Sequence, residues 1–110
     1  MVLTLNEMVG KEVANMKGGV GVINSARWED DMVAIIHNIM PAGTTVGFHQ
    51  HVGTSEVIYI LGGSGFIKED DELKPVKAGD VNYCAEGGWH EVIAGDDGME
   101  ILGVIPNQTR

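Results

Sequence analysis

The chain has 110 residues, a length that predicts a single domain over residues 1–110. Sixteen Asp and Glu residues against seven Lys and Arg residues give a formal net charge of −9. A surface of this sign repels phosphate backbones, so we expect no nucleic-acid partner. The longest apolar stretch, residues 32–40, is too short to span a bilayer, so we expect no membrane association either.

Cysteine usage and the N-terminus predict a cellular compartment. Cys84 is the only cysteine, which excludes an internal disulfide and a zinc site built from several cysteines. No basic segment precedes a hydrophobic block at the N-terminus, so we expect no secretory signal. Both features favour a cytoplasmic protein. We expect Cys84 itself to pack as a small buried hydrophobe, because no neighbouring basic group would lower its pKa.

Glycines divide the sequence into short runs rich in Val, Ile and Tyr, a pattern typical of all-β folds. In chain order, the predicted strands are residues 21–28, 32–40, 45–52, 56–61, 65–69, 73–76, 81–84, 90–94 and 99–105. Residues 62–64 are predicted as a hairpin turn, 69–72 as an acidic turn, and 77–80 and 95–98 as tight turns. So many short strands need a second sheet or closure to bury an apolar face, so we predict a compact β-barrel.

Three of the four histidines combine with one glutamate in a pattern that favours metal binding. His49 and His51 lie two residues apart in a predicted strand, so their side chains leave the same face. Glu56 opens the next strand, which can return it to the pair, and His90 opens a later strand that a barrel could place opposite. On its own, a His-x-His pair more often reflects the ordinary alternation of side chains along a strand. The metal-binding hypothesis therefore depends on the addition of Glu56 and His90.

Imidazoles with a carboxylate suit one divalent transition metal ion, of Mn, Fe, Ni, Co, Cu or Zn, and the sequence leaves its identity open. Four protein ligands leave one or two coordination positions for a small-molecule ligand or substrate.

The spacing around these residues resembles the cupin superfamily. Its first motif runs Gly, five residues, His-x-His, three or four residues, Glu, six residues, Gly, and residues 43–63 match every element. Its second motif runs Gly, five residues, Pro-x-Gly, two residues, His, three residues, Asn, and lies here at residues 79–94. Ala85 replaces the proline and Ala94 the asparagine. Neither position is a metal ligand, but losing the proline predicts a looser loop before His90.

This resemblance implies a single cupin domain, an all-β jelly-roll barrel (a double-stranded β-helix) with the metal near one mouth. It also implies the metal-ligand role for His49, His51, Glu56 and His90. A homodimer is a further implication, for which the exposed sheet edges of so small a barrel give a physical motive.

Other residues receive structural interpretations. His37 matches no ligand position, so we expect a structural histidine. Tyr59 has opposite parity to Glu56, so it should point away from the metal, with Ile58 and Ile60 pointing inward. Arg27 is the only arginine in a predicted strand, and its orientation stays open. Because sites for small carboxylates usually need a cation, this scarcity weakens an oxalate-decarboxylase-like activity.

Two classes of function stay open. The first is a metal-dependent enzyme acting on a small organic molecule, of dioxygenase, decarboxylase or isomerase type, with no catalytic side chain assigned beyond the ligands. The second is a non-catalytic binding or sensing module in which the metal anchors a small ligand. A degenerate cupin with a purely structural metal is disfavoured by the intact ligand set. We expect the enzyme, although a fold alone does not determine chemistry.

Overall fold

The structure is a computed structural model that describes residues 1–106. Within that range the chain is almost entirely β-structure, with single 3-10 turns at Leu5–Glu7 and Met16–Gly18. The strands are β1 Lys11–Ala14, β2 Val22–Glu29, β3 Val33–Met40, β4 Thr45–Gln50, β5 Glu56–Glu69, β6 Glu72–Lys77, β7 Val81–Cys84 and β8 Trp89–Pro106. The described residues contain no helix long and apolar enough to cross a membrane. The predicted all-β class is confirmed.

The strands form one antiparallel hydrogen-bonded sheet that folds into two layers, because β5 and β8 are long enough to run through both. In the first layer, the N-terminal half of β5 pairs with the C-terminal half of β8, with β7 on one side and β3, β2 and β1 on the other. In the second layer the remaining halves pair, flanked by β6 and β4. This arrangement is the predicted jelly-roll barrel.

Two predicted turns are wrong, because glycines bend the long strands without ending them. Residues 62–64 are not a hairpin turn but lie within β5, and residues 95–98 lie within β8. The register between these strands shifts there, so that β8 contributes extra residues and both strands bend from one layer into the other. A Cβ at Gly63 would lie 2.1 Å from the carbonyl oxygen of Gly98, so the two backbones meet where only glycine fits.

Other boundaries differ less. The strand predicted over residues 45–52 ends at Gln50, which leaves His51 just beyond it. β1 lies before the first predicted strand, where the sequence Lys-Glu-Val-Ala shows no β-prone run; pairing with β2 makes it a strand. The turn at residues 69–72 is confirmed as the tip between β5 and β6, and the turn at residues 77–80 is confirmed by a hydrogen bond from the Asp80 amide to the Lys77 carbonyl (3.0 Å).

The core fills the space between the two layers. Ile58 and Ile60 point inward and are 2% and 0% exposed, whereas Tyr59 between them is 41% exposed, as its parity predicted. Both layers contribute to one cluster: Ile23, Met40, Val46, Ile58, Ile60, Ile67, Val92, Ala94, Met99 and Ile101. This packed core gives a rigid base for the side chains beside it.

Candidate metal centre

His49, His51, Glu56 and His90 meet inside the barrel, with one potential ligand atom from each lying within 4.8 Å of the others. His49 on β4 pairs directly with His90 on β8. His51 follows the end of β4, and Glu56 is the first residue of β5. His90 is fully buried, His51 and Glu56 are buried, and His49 is half-buried. The structure thus brings together all four residues that the sequence singled out.

The distances between these atoms fit one shared ion. The three imidazole Nε2 atoms form a near-equilateral triangle with sides of 3.2 Å (His49–His51), 3.1 Å (His51–His90) and 3.2 Å (His49–His90). Glu56 Oε1 lies 3.1 Å from Nε2 of His51 and 3.2 Å from that of His90. Nitrogens bound at about 2.1 Å are about 3.0 Å apart in octahedral and about 3.4 Å apart in tetrahedral coordination. The observed separations lie between these values, so the group could hold a metal ion.

The outer nitrogens of the rings decide which atom each imidazole presents. His49 Nδ1–H donates to the Gly47 carbonyl oxygen (2.6 Å), and His90 Nδ1–H donates to Asn82 Oδ1 (3.0 Å). Both acceptors are oxygens without a proton, so each neutral ring carries its hydrogen on Nδ1 and a lone pair on Nε2. These lone pairs and the Glu56 carboxylate face one another. A cation satisfies such a set of acceptors, so the donor chemistry fits a metal ion.

Further polar residues hold the rings in place. Asn82 is buried, and its Nδ2 donates to Glu69 Oε1 at 3.0 Å, so a chain of hydrogen bonds runs from Glu69 through Asn82 to His90. Thr54 Oγ1 lies 3.3 Å from His51 Nδ1. Partners of this kind orient a metal-binding ring and fix its tautomer. Sequence reasoning assigned neither Asn82 nor Thr54 a role, because their positions depend on strand register and loop shape.

Burial and neighbouring charges set the protonation of the site. Burial alone would raise the pKa of Glu56. When His51 and His90 carry a proton on Nε2 in place of a metal ion, their hydrogen bonds and charges outweigh burial and lower this pKa to about 2. The pKa of His49 is lowered because burial disfavours the charged ring, although its bond to Gly47 opposes this. At neutral pH Glu56 is therefore ionised and His49 neutral, which are the forms that bind metals.

Gly103 on β8 provides the room for the Glu56 carboxylate. A Cβ at this position would lie 2.9 Å from Glu56 Oε2 and 3.7 Å from the Cβ of Ile36. The first contact is too close for a real Cβ, so a larger residue would displace the carboxylate. Sequence reasoning missed Gly103, since one glycine among sixteen carries no sign of what it faces.

A cavity of about 410 Å³ adjoins three of the four residues, His49, His51 and Glu56. Lys17 and Arg27 line it with exposed side chains, and Arg27, whose orientation the sequence left open, also donates through Nε and Nη2 to Glu29 Oε2 at 3.2 and 3.1 Å. The aliphatic part of the wall is formed by Ile36, Val46, Val52, Ile58, Val92, Ile101 and Ile105. The site thus combines an apolar wall with positive charge and a cluster of metal-binding groups.

His37 and Cys84 lie outside the four-residue group. His37 is 4% exposed, and its Nε2 lies 2.5 Å from Glu100 Oε2 on the adjacent strand, so it is the structural histidine expected. Cys84 is buried, and burial raises the pKa of its thiol to about 11, with the charges of Glu56 and Glu69 adding to the effect. The thiol is therefore protonated at neutral pH and packs as a small apolar group.

Backbone hydrogen bonds hold the loop before His90. The amide of Gly87 donates to the His51 carbonyl oxygen (2.6 Å), and the amide of His51 donates to the Gly88 carbonyl oxygen (2.9 Å). Within the loop, the Gly88 amide donates to the carbonyl of Ala85 (2.8 Å). These bonds tie the segment of His51 to the loop before His90, where the motif's proline would have stiffened the turn.

Replacing Asn82 with alanine is expected to lower metal affinity by about 10- to 100-fold, because the His90 ring loses the acceptor that orients it. Competition with a chromophoric chelator measures the change. Asn24→Ala, on the outward face of β2, is the matched control and should bind metal as the wild type does. Equal affinities for all three proteins would show that Asn82 does not support the site.

Comparisons with known proteins agree with this architecture. The cupin domain family matches residues 36–105. The oxalate-binding protein of Thermotoga maritima is 32% identical over 114 aligned residues, which cover 96% of this chain and 93% of that protein. The crystal structure of a predicted oxalate decarboxylase from the same organism superposes with a TM-score of 0.88 at 31% identity, over 96% of this chain and 98% of that one.

More distant proteins share the fold alone. KdgF from a Halomonas species superposes with a TM-score of 0.79 at 16% identity, over 96% of this chain and 93% of that one. The family match spans more than half of the sequence and both motif regions. The chain therefore belongs to the cupin family.

Proposed function

We propose that the protein binds one divalent transition metal ion through His49, His51, Glu56 and His90 and uses it to bind a small chelating carboxylate of the oxalate type. The observation that carries this proposal is the convergence of three imidazole nitrogens and one ionised carboxylate beside a cavity. When bound, the ion would act as a Lewis acid that holds the ligand's oxygens at its remaining positions.

The charge distribution supports an anionic ligand despite the acidic surface. A chain with a formal charge of −9 repels anions unless a local positive field attracts them. The ion would invert the field inside the site, and Lys17 adds positive charge at the cavity wall, where the charge of Arg27 is paired with Glu29. The oxalate-binding name of the Thermotoga relative supports the same ligand class.

The cavity lining favours binding over the expected catalysis. Decarboxylation exchanges a carbon–carboxylate bond for a carbon–hydrogen bond, so it needs a proton donor. Among the described residues that line the cavity, Glu56 is the only carboxylic acid, and its pKa of about 2 makes it a poor donor. A decarboxylase is the second candidate, supported by the name of the related Thermotoga structure.

Elemental analysis and calorimetry test the proposal. Protein purified without chelators or an affinity metal is expected to hold one metal ion per chain. Oxalate is expected to bind the metal-loaded protein and not the metal-stripped protein. A wild type without stoichiometric metal, or equal oxalate binding after stripping, would contradict the proposal. Release of formate and carbon dioxide from oxalate would favour the decarboxylase over the binding protein.

We also propose that the chain forms a homodimer through the outer face of the first layer. Apolar side chains on this face are strongly exposed, with Tyr59 at 41%, Val81 at 60% and Tyr83 at 61%. Exposed apolar patches of this kind mark interfaces. Light scattering on a sizing column is expected to give twice the chain mass, and Tyr83→Glu is expected to give a monomer. A monomeric wild type would contradict this assignment.

A further inference from the structure

Asn38 on β3 carries an unsatisfied polar group at the cavity. The residue is 5% exposed and lines the cavity wall. Its Nδ2 reaches only the Met16 sulfur, at 3.9 Å, and its Oδ1 is buried without a hydrogen-bond partner among the described residues. Buried side-chain acceptors are nearly always paired in folded proteins. An unpaired one at a cavity wall therefore calls for a partner that the chain does not supply.

Strand register places Asn38 at a distance from the metal centre. Ile36 borders Gly103, which lies against the Glu56 carboxylate. Asn38 is two residues further along the same face of β3, which corresponds to about 7 Å. Its neighbour on β2 is Ser25, which also lines the cavity. The cavity therefore has a second polar region away from the metal ligands.

The size of the cavity points to a ligand that could reach both regions. Its volume of about 410 Å³ lies within the range of pockets that enclose drug-sized molecules, about 300–1,000 Å³. Oxalate consists of two carboxylates joined directly, so it occupies a small part of this space. A longer ligand would fill the aliphatic section, where Ile58 and Ile101 form part of the wall.

We propose that Asn38 is a specificity-determining residue that accepts a hydrogen bond from an O–H or N–H group on the far part of the ligand. The ligand is then a chelating carboxylate that is longer than oxalate and ends in a hydrogen-bond donor. This inference rests on the proposed function, because the metal centre holds the other end of the ligand.

A pair of matched probes tests the inference by calorimetry on the metal-loaded protein. N-(2-hydroxyethyl)oxamate and N-propyloxamate share one chelating head and a tail of equal length, which ends in a hydroxyl in the first and a methyl in the second. The hydroxyl probe is expected to bind the wild type about tenfold more tightly. Asn38→Leu is expected to lose this difference while it binds oxalate as before. Asn24→Leu, on the outward face of β2, should keep the difference.

A stability measurement separates recognition from a structural role. Asn38→Leu removes an unpaired buried acceptor, so the variant should melt at or above the wild-type temperature. Equal binding of both probes to the wild type, or a preference that survives in Asn38→Leu, would overturn the inference. A variant that loses thermal stability and oxalate binding together would also overturn it. If the loaded wild type bound neither oxalate nor the probes, the proposed function would be wrong and the inference would fall with it.

Discussion

His90→Ala is expected to lower metal affinity by more than about 100-fold, beyond the range for the loss of an outer hydrogen-bond partner. His90 is fully buried, and its Nε2 lies within 3.2 Å of the corresponding atoms of His49 and His51 and of Glu56 Oε1. Without the His90 ring, the site keeps only two imidazoles and the Glu56 carboxylate, and water can enter the space that the ring filled. Elemental analysis after gel filtration and competition with a chelator measure the loss.

His37→Ala is the matched control for this variant. His37 is also a buried histidine bonded to a carboxylate, but it lies outside the group of four. The His37→Ala variant should keep stoichiometric metal. Its melting temperature should fall, because the variant loses the contact between His37 and Glu100. Circular dichroism should show the same β-structure in both variants. Full metal occupancy in His90→Ala, or loss of metal from both variants, would contradict the assigned site.

Metal loading is expected to raise the melting temperature by about 12–30 °C. The four ligands come from β4, β5, β8 and the segment after β4, so only the folded chain brings them together. A ligand that binds only the folded state, at about 100 to 1,000 times its Kd, stabilises it by about 3–4 kcal/mol. In a domain of about 100 residues, each kcal/mol raises the melting temperature by about 4–8 °C.

Scanning calorimetry with stripped and reloaded protein measures this shift. His90→Ala is the control, and metal should raise its melting temperature far less than that of the wild type. A wild type that melts at one temperature in both states would show that the ion is not bound by the folded chain. A shift of equal size in His90→Ala would place the stabilising ion elsewhere.

The local part of the site could be predicted from the sequence. His49 and His51 are two residues apart, and Glu56 follows across a short turn, so strand geometry alone suggests that they meet. His90 is 39 residues from His51, and no local rule brings the two together. Only the motif spacing shared with cupins assigned His90 its role as a metal ligand. Metal identity, oligomeric state and cytoplasmic location stay predictions.

The two wrong turn predictions, at residues 62–64 and 95–98, arose because a glycine-rich segment supports two conformations. A Gly-Gly-Ser segment can close a hairpin or bend a strand, and the sequence does not tell which, because the choice depends on the strand that lies opposite. In β5 the partner is β8, so the segment bends. The roles of Gly103, Asn82 and Asn38 were beyond prediction for a related reason. The role of each residue depends on which side chain lies opposite it in the barrel, and this is determined by how the strands pair.

The continuous pairing of β5 with β8 also determines when the site can form during folding. The paired residues, from Val57–Val104 to Lys68–Glu91, are far apart in the sequence, so their pairing closes long loops. Folds dominated by such contacts reach the native state slowly, within about milliseconds to seconds. The four candidate ligands are brought together only after this step. Metal should therefore leave the refolding rate unchanged and slow unfolding, so that a cell short of the ion produces folded chains normally but loses them sooner.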